Sequence, residues 1–308
     1  MTTRGAEALL GGLVDYAGLF PPAGLGMAEA VAEYQTHRAG EAAFMLGRFV
    51  VPAARLDELE EKGEGHWPAK AGSGTASAGS AEAKPWPLTA LVGPALEAHA
   101  EAVLDFVARH TGQARIDAVE LSARSVAEIE AALAVLPVGM LTYVEVPLEG
   151  DLDPLLAVLR ERRARAKVRT GGVVPEAIPD PPSLARFIGA CARARVAFKA
   201  TAGLHHPVRA VHPLTYEKDA PRARMHGFLN VFAAAALAGA GTESAELEAV
   251  IGEEDPTAFR LDESGLAWRE RRLDVAAVSA MRRDLAHSFG SCSFREPVTG
   301  LRALGMIA

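Results

Sequence analysis

From residue 43 to residue 201, apolar runs of strand length alternate with amphipathic stretches of helix length, the pattern of repeated strand-helix units around a parallel sheet. The predicted strands are 43–51 (AFMLGRFVV), 87–92 (PLTALV), 115–121 (RIDAVEL), 140–147 (MLTYVEVP), 166–171 (AKVRTG) and 195–201 (RVAFKAT). Helices are predicted near 53–61, 95–110, 125–135, 152–163 and 182–193. Ser125 with Glu128 fits a capping box, and Pro182-Ser183 fits a turn into a helix whose Leu184, Phe187 and Ile188 share one face. Beyond residue 201 the pattern loosens into an Ala-rich helix near 224–239, a hairpin at Ser264-Gly265, a helix near 274–286, the run FGSCSF and a short last helix. With 257–261 and 288–294 as strands seven and eight, the expected fold is α/β, a (β/α)8 TIM-type barrel with an irregular last quarter. An open doubly wound sheet is the alternative.

Within 308 residues this makes one barrel domain spanning the chain, interrupted by a Gly, Ala and Ser-rich stretch at 62–85 that reads as a flexible surface loop. The 49% hydrophobic and 23% charged residues are ordinary for a globular chain, and a net charge of -7 argues against general affinity for nucleic acid or anionic membrane. Two cysteines, Cys191 and Cys292, are too few for a disulfide framework, no apolar run reaches membrane-spanning length, and the first residues do not read as a signal peptide. The expectation is a reduced, cytoplasmic protein, with homo-oligomerisation left open.

Charged residues punctuate strands that should be buried on both faces: Arg48, Glu120, Glu145, Lys167 with Arg169, and Lys199. At the C-terminal ends of barrel strands such residues converge on one mouth, and about three cations against two carboxylates favour a small anionic ligand. Lys199, between Phe198 and Ala200, is expected to be desolvated, its amine pushed toward the neutral, nucleophilic form. The segment around it, Lys-Ala-Thr-Ala-Gly, resembles the Lys-x-x-x-Gly segment of deoxyribose-phosphate aldolase and related Schiff-base aldolases. That resemblance implies an imine-forming lysine on strand six, here Lys199; the second lysine that the family carries on strand seven has no visible counterpart. The segments FKATAGLHHP, FGSCSFREPVTGL and DYAGLFPPAG also resemble an uncharacterised group of bacterial proteins, which implies no activity.

His205 and His206 directly follow the Lys199 strand and suit general acid-base work at the mouth. A mixed divalent-metal site of Glu120, Glu145 and a histidine is an alternative, whereas His226 with Asn230 reads as a hydrogen-bonded helix entrance. Arg169-Thr170-Gly171-Gly172 can cradle an anion, Thr201 ends the lysine strand, and Ser291 and Ser293 offer hydroxyls where barrels bind phosphate. Cys292 reads as a small buried filler. Asp15-Tyr16, followed by Gly18-Leu19-Phe20-Pro21-Pro22, reads as a stiff loop plugging a barrel end, with an acid role for Asp15 if it reaches the mouth. No dinucleotide or nucleotide-phosphate fingerprint occurs, so no such cofactor is expected. The chemistry so assembled is an aldolase-like lyase or isomerase acting on a small anionic carbonyl compound such as a sugar phosphate or keto acid. Lys199 would be the amine, Glu145 and Glu120 its acid and base, and Arg48, Lys167 and Arg169 the anion contacts. A divalent-metal-dependent lyase or hydrolase and a non-catalytic anion-binding barrel are the alternatives.

Overall fold

The computed structural model describes residues 2–68, 84–137 and 139–308. Seven strands enter a barrel in succession: β1 (Val14–Tyr16), β2 (Leu46–Pro52), β3 (Trp86–Leu91), β4 (Ala114–Ser122), β5 (Leu141–Glu145), β6 (Arg165–Arg169) and β7 (Phe198–Thr201). A hairpin of β8 (Ala210–Pro213) and β9 (Arg222–Met225) and a meander of β10 (Phe259–Asp262), β11 (Gly265–Trp268) and β12 (Arg271–Asp274) follow outside it. The last barrel strand, β13 (Ala286–Ser291), then inserts between β7 and β1 and closes a ring of eight parallel strands.

The expected (β/α)8 architecture is therefore present, with a different set of strands. Closure comes from Val14–Tyr16, where a loop is expected because three residues around a buried aspartate carry no strand-length apolar signal. Residues 257–261 do not supply a barrel strand. Asp262 accepts from the Ser264 amide at 2.8 Å, so the chain turns back at once and β10 pairs antiparallel with β11. The strand carrying Lys199 is accordingly the seventh, and the one carrying Lys167 the sixth. Of the proposed loop at 62–85, Lys62 and Gly63 end the helix Leu56–Gly63, Trp67 packs edge-on against Trp86, and residues 69–83 lie outside the described residues.

The helices wrap the outside in chain order: α1 (Arg4–Leu10), α2 (Met27–Ala39), α3 (Leu56–Gly63), α4 (Leu96–Arg109), α5 (Val126–Val135), α6 (Asp153–Glu161), α7 (Pro181–Ala194), α8 (Phe228–Gly239), α9 (Ser244–Gly252), α10 (Val275–Asp284) and α11 (Arg295–Ala303). Ser125 accepts from the Glu128 amide and caps α5, while α7 starts on Asp180, which accepts from the Ser183 amide ahead of the predicted Pro182-Ser183 signal. The hydrophobic core lies between strands and helices, as Phe198 against Phe187 and Phe289 against Phe228 show. Because strand side chains alternate, burying Phe198 and Ala200 outward turns Lys199 into the barrel. Among the described residues no helix is long and apolar enough to cross a membrane.

Candidate active site

The inward positions of the strands carry a chain of alternating charges. Glu145, Lys167 and Lys199 stand in one row across β5, β6 and β7, with Glu120 on β4 completing the group. Lys199 Nζ lies 2.5 Å from Asp15 Oδ2 and 2.5 Å from Glu120 Oε1. The other oxygen of Glu120 is 2.9 Å from Lys167 Nζ, which lies 3.0 Å from Glu145 Oε2, and Glu145 Oε1 accepts from Arg169 Nε at 2.9 Å. Asp15 also accepts from the Arg48 amide and from Ser288 Oγ, both at 2.8 Å. Lys199 and Glu120 are only 1% and 3% exposed, so each needs the opposite charges beside it to offset desolvation.

These contacts set the protonation states. Burial acts to raise the Glu120 pKa, but Lys167 and Lys199 outweigh it and hold the carboxyl down at about 2. Glu145 is lowered in the same way, burial being overcome first by Lys167 and then by Arg169. Burial pulls Lys199 down as anticipated, yet Asp15 and Glu120 overcome it and leave the ammonium above its ordinary range. The expectation of a neutral Lys199 amine is thus corrected, and the pairing of Lys199 with Asp15 is the reason. Asp15 also removes the expected surplus of positive charge, since Lys199, Lys167 and Arg169 face Asp15, Glu120 and Glu145.

Above this group, on the C-terminal side of the barrel, lies a cavity of about 420 Å³. Glu120 and Lys167 form its polar floor and Arg169 stands at its rim; Phe20, Pro21 and Pro22 from the loop after β1 and Val173 and Val174 after β6 form apolar walls. Lys199, Asp15 and Glu145 are not part of the cavity surface and sit beneath or behind it. Lys167 is the amine of the pair that meets the space.

The remaining sequence candidates divide. Thr201, Gly171 and Gly172 line the cavity, and the loops after β6 and β7 approach so closely that a Cβ on Gly203 would lie 2.8 Å from Gly171 Cα. Gly203 also has φ +78, so glycine is required there on both counts. Thr170 is buried and its hydroxyl donates to Thr201 O at 3.2 Å, so it ties the two loops together rather than facing the cavity. Arg48 is not an anion clamp: its Nε lies 2.5 Å from Asp117, three residues before Glu120 on β4 and therefore toward the opposite end of the barrel. Ser291 donates to Ser293 O and Ser293 Oγ accepts from the Glu296 amide, which turns both hydroxyls into the entrance of α11.

His206 stacks on His212 with ring centroids 3.4 Å apart and lies outside the cavity lining, whereas His205 is part of it. His226 contacts Pro179 O at 2.7 Å and Asn230 donates to Val250 O and Glu253 O at the end of α9, so both are hydrogen-bonded as expected, but to neighbouring elements and not to the entrance of α8, which has no side-chain cap. Among the described residues no group of three His, Cys, Asp or Glu side chains has metal-binding spacing; Glu120 and Glu145 are instead engaged by lysines. Cys292, expected to be filler, lines the cavity beside His205, and Glu296 and Tyr216 complete a cluster that no sequence motif announces. The spacing between His205 and Cys292 gave no signal, because only closure of β13 onto β7 brings them together.

Fold and site together define a class: a closed parallel β/α barrel with a charge-balanced ionic floor under a mostly apolar cavity. No family model, no curated protein and no solved structure matches the chain.

Proposed function

We propose that the protein is an aldolase-like lyase or isomerase that takes a small carbonyl compound as an imine on Lys167. The observation carrying this reading is that two lysines on adjacent strands share Glu120, and the one on β6 reaches the cavity while the one on β7 is locked beneath it. Glu145, 3.0 Å from Lys167 Nζ, is the carboxylate placed to take that nitrogen's proton as a carbonyl carbon approaches. The amine adds to that carbon, the carbinolamine takes a proton and loses water, and the resulting iminium withdraws the electron pair of the neighbouring C–C or C–H bond. Lys199 supplies a fixed positive charge that keeps Glu120 ionised. Arg169, half exposed at the rim, and the backbone of Gly171-Gly172 are placed to meet an anionic group on the substrate.

The five residues that carry the aldolase resemblance surround Lys199 on the seventh strand, so the motif itself does not single out Lys167; the strand order that the resemblance implies does. Schiff-base aldolases place the imine lysine on strand six and a second lysine on strand seven; here those strands carry Lys167 and Lys199. The imine role expected of Lys199 is therefore proposed for Lys167, with Lys199 as its charge partner.

Reductive trapping tests the proposal. Incubation with pyruvate, acetaldehyde or glyceraldehyde 3-phosphate, followed by borohydride and peptide mass spectrometry, is expected to leave an adduct on Lys167 that Lys167→Met abolishes. An adduct confined to Lys199, or none with any of a broad set of aldehydes and ketones, contradicts it.

A further inference from the structure

Where β13 runs into α11, three reactive side chains meet at the cavity wall. Cys292 lies one residue past β13, Glu296 in the first turn of α11, and His205 on the segment after β7. His205 Nδ1 is 2.6 Å from Glu296 Oε2, and its Nε2 faces Cys292 Sγ at 3.9 Å. A carboxylate at Nδ1 fixes the proton on that nitrogen and leaves Nε2 to exchange one with the sulfur. Tyr216 completes the group, its hydroxyl 3.7 Å from Sγ and donating to Glu296 at 3.1 Å. Cys292 and His205 are 6% and 7% exposed, and both contribute to the cavity surface. A nucleophile, a base in reach of it and a third group orienting the base are the parts of an activated thiol. Cys191 is the contrast: fully buried on α7, its thiol is pushed up by desolvation and has no such partners.

We propose that Cys292 is a second covalent centre of this cavity, a thiolate with its proton on His205 that adds to the carbonyl carbon of a small aldehyde. The Sγ–C bond forms, the π pair of the C=O bond moves to oxygen, and His205 Nε2 gives that oxygen its proton. The products are a neutral hemithioacetal and a neutral imidazole, and the reverse step releases the aldehyde. No leaving group, oxidant or second substrate enters the balance. The choice of aldehyde rests on the carbonyl-lyase reading, because cleaving a C–C bond beside an iminium on Lys167 liberates an aldehyde; the activated thiol does not depend on it. The register places Cys292 four residues beyond the level of Lys167, two along β7 to Thr201 and two past its partner Gly290. Along a tilted barrel strand that is roughly 10 Å, room for the lysine side chain and a short carbon chain between the two centres.

Five other titratable side chains surround the pair: Tyr16, His206, His212, Tyr216 and Glu296. Burial works against the His205 imidazolium, but Cys292 and Glu296 overcome it and raise its pKa to about 9. Burial and then His212 hold His206 down at about 4, burial and then Arg222 lower His212, and Glu296 is lowered mainly by His205 against the effect of burial. Tyr16 and Tyr216, also beside Cys292, are both raised by burial and stay neutral.

The test is alkylation of Cys292 by iodoacetamide, followed by peptide mass spectrometry with Cys191 as the internal reference. In the wild type the Cys292 rate is expected to stay nearly constant between about pH 6 and 8. His205→Gln is expected to lower it about tenfold or more near pH 6.5 and to restore the tenfold rise per pH unit of an ordinary thiol; Glu296→Gln gives a smaller loss. Propanal is expected to protect Cys292 reversibly. Protection that persists in Lys167→Met, where borohydride trapping is lost, separates this centre from the lysine. A wild-type rate that already rises like an ordinary thiol overturns the proposal even if the histidine variant does not fold, and so does propanal leaving the rate unchanged.

Discussion

Glu120→Gln is expected to destabilise the protein by about 3–5 kcal/mol, a large share of the roughly 5–15 kcal/mol available to a folded domain. The substitution keeps the size of the side chain and removes the charge that two ammonium groups share at 2.5 and 2.9 Å. Lys199 retains Asp15 and Lys167 retains Glu145, but both lose half of their compensation inside a nearly solvent-free barrel. The amide nitrogen then faces one of the two cations as a donor, adding repulsion. For a chain of 308 residues the melting temperature should fall by roughly 5–8 °C, since the unfolding entropy scales with length. Urea or thermal unfolding measures this; a loss under about 1 kcal/mol would place Glu120 in a wetter, less coupled setting than the geometry shows.

The same carboxylate governs acid stability. Its pKa is about 2 in the folded protein against an ordinary 4.5, so the unfolded chain binds its proton first as pH falls. The stabilisation is fully present above pH 4.5 and is lost as pH descends through the folded value, an effect on the order of 3 kcal/mol from this group alone. Glu145, lowered as well, adds to the same arm. Lys199 has the opposite sign: its raised pKa contributes stability that is complete below the ordinary 10.5 and lost only as pH rises through its folded pKa. Urea midpoints recorded between about pH 2 and 7 should therefore drop steeply on the acid side, and Glu120→Gln should flatten that drop. Parallel curves for the two proteins would show that Glu120 is not the group responsible.

Much of the architecture was written in the apolar periodicity. Six strands and the helices between them follow from runs such as PLTALV and MLTYVEVP, which are long enough to declare themselves. The barrel's closure was not legible, because β1 spends three residues on Val, Asp and Tyr and hides the partner of Lys199 in what reads as a loop. Asp15, expected in a plugging loop, overturns two expectations at once: it balances the ionic floor, and it holds the Lys199 amine charged against desolvation. The convergence of Glu120, Glu145, Lys167, Arg169 and Lys199 was readable from charges at alternating strand positions, since burial on both faces leaves such residues nowhere else to go. Arg48 obeyed the same alternation but sits at the lower end of its strand, where Asp117 takes it up. The grouping of His205, Cys292, Glu296 and Tyr216 depends on contacts 76 to 91 residues apart, which no local pattern encodes.

The division of labour between a buried ammonium and an amine at the cavity is tested most directly by following the two lysines through a pH titration. With selectively labelled lysine, heteronuclear NMR of the ε-CH2 groups, assigned through Lys167→Met and Lys199→Met, reports when each nitrogen loses its proton. The expected result is a Lys199 signal that stays at the ammonium position past the ordinary lysine value of 10.5. A Lys199 midpoint well below that value, near neutral pH, would contradict it and return the nucleophile's role to the strand-seven amine.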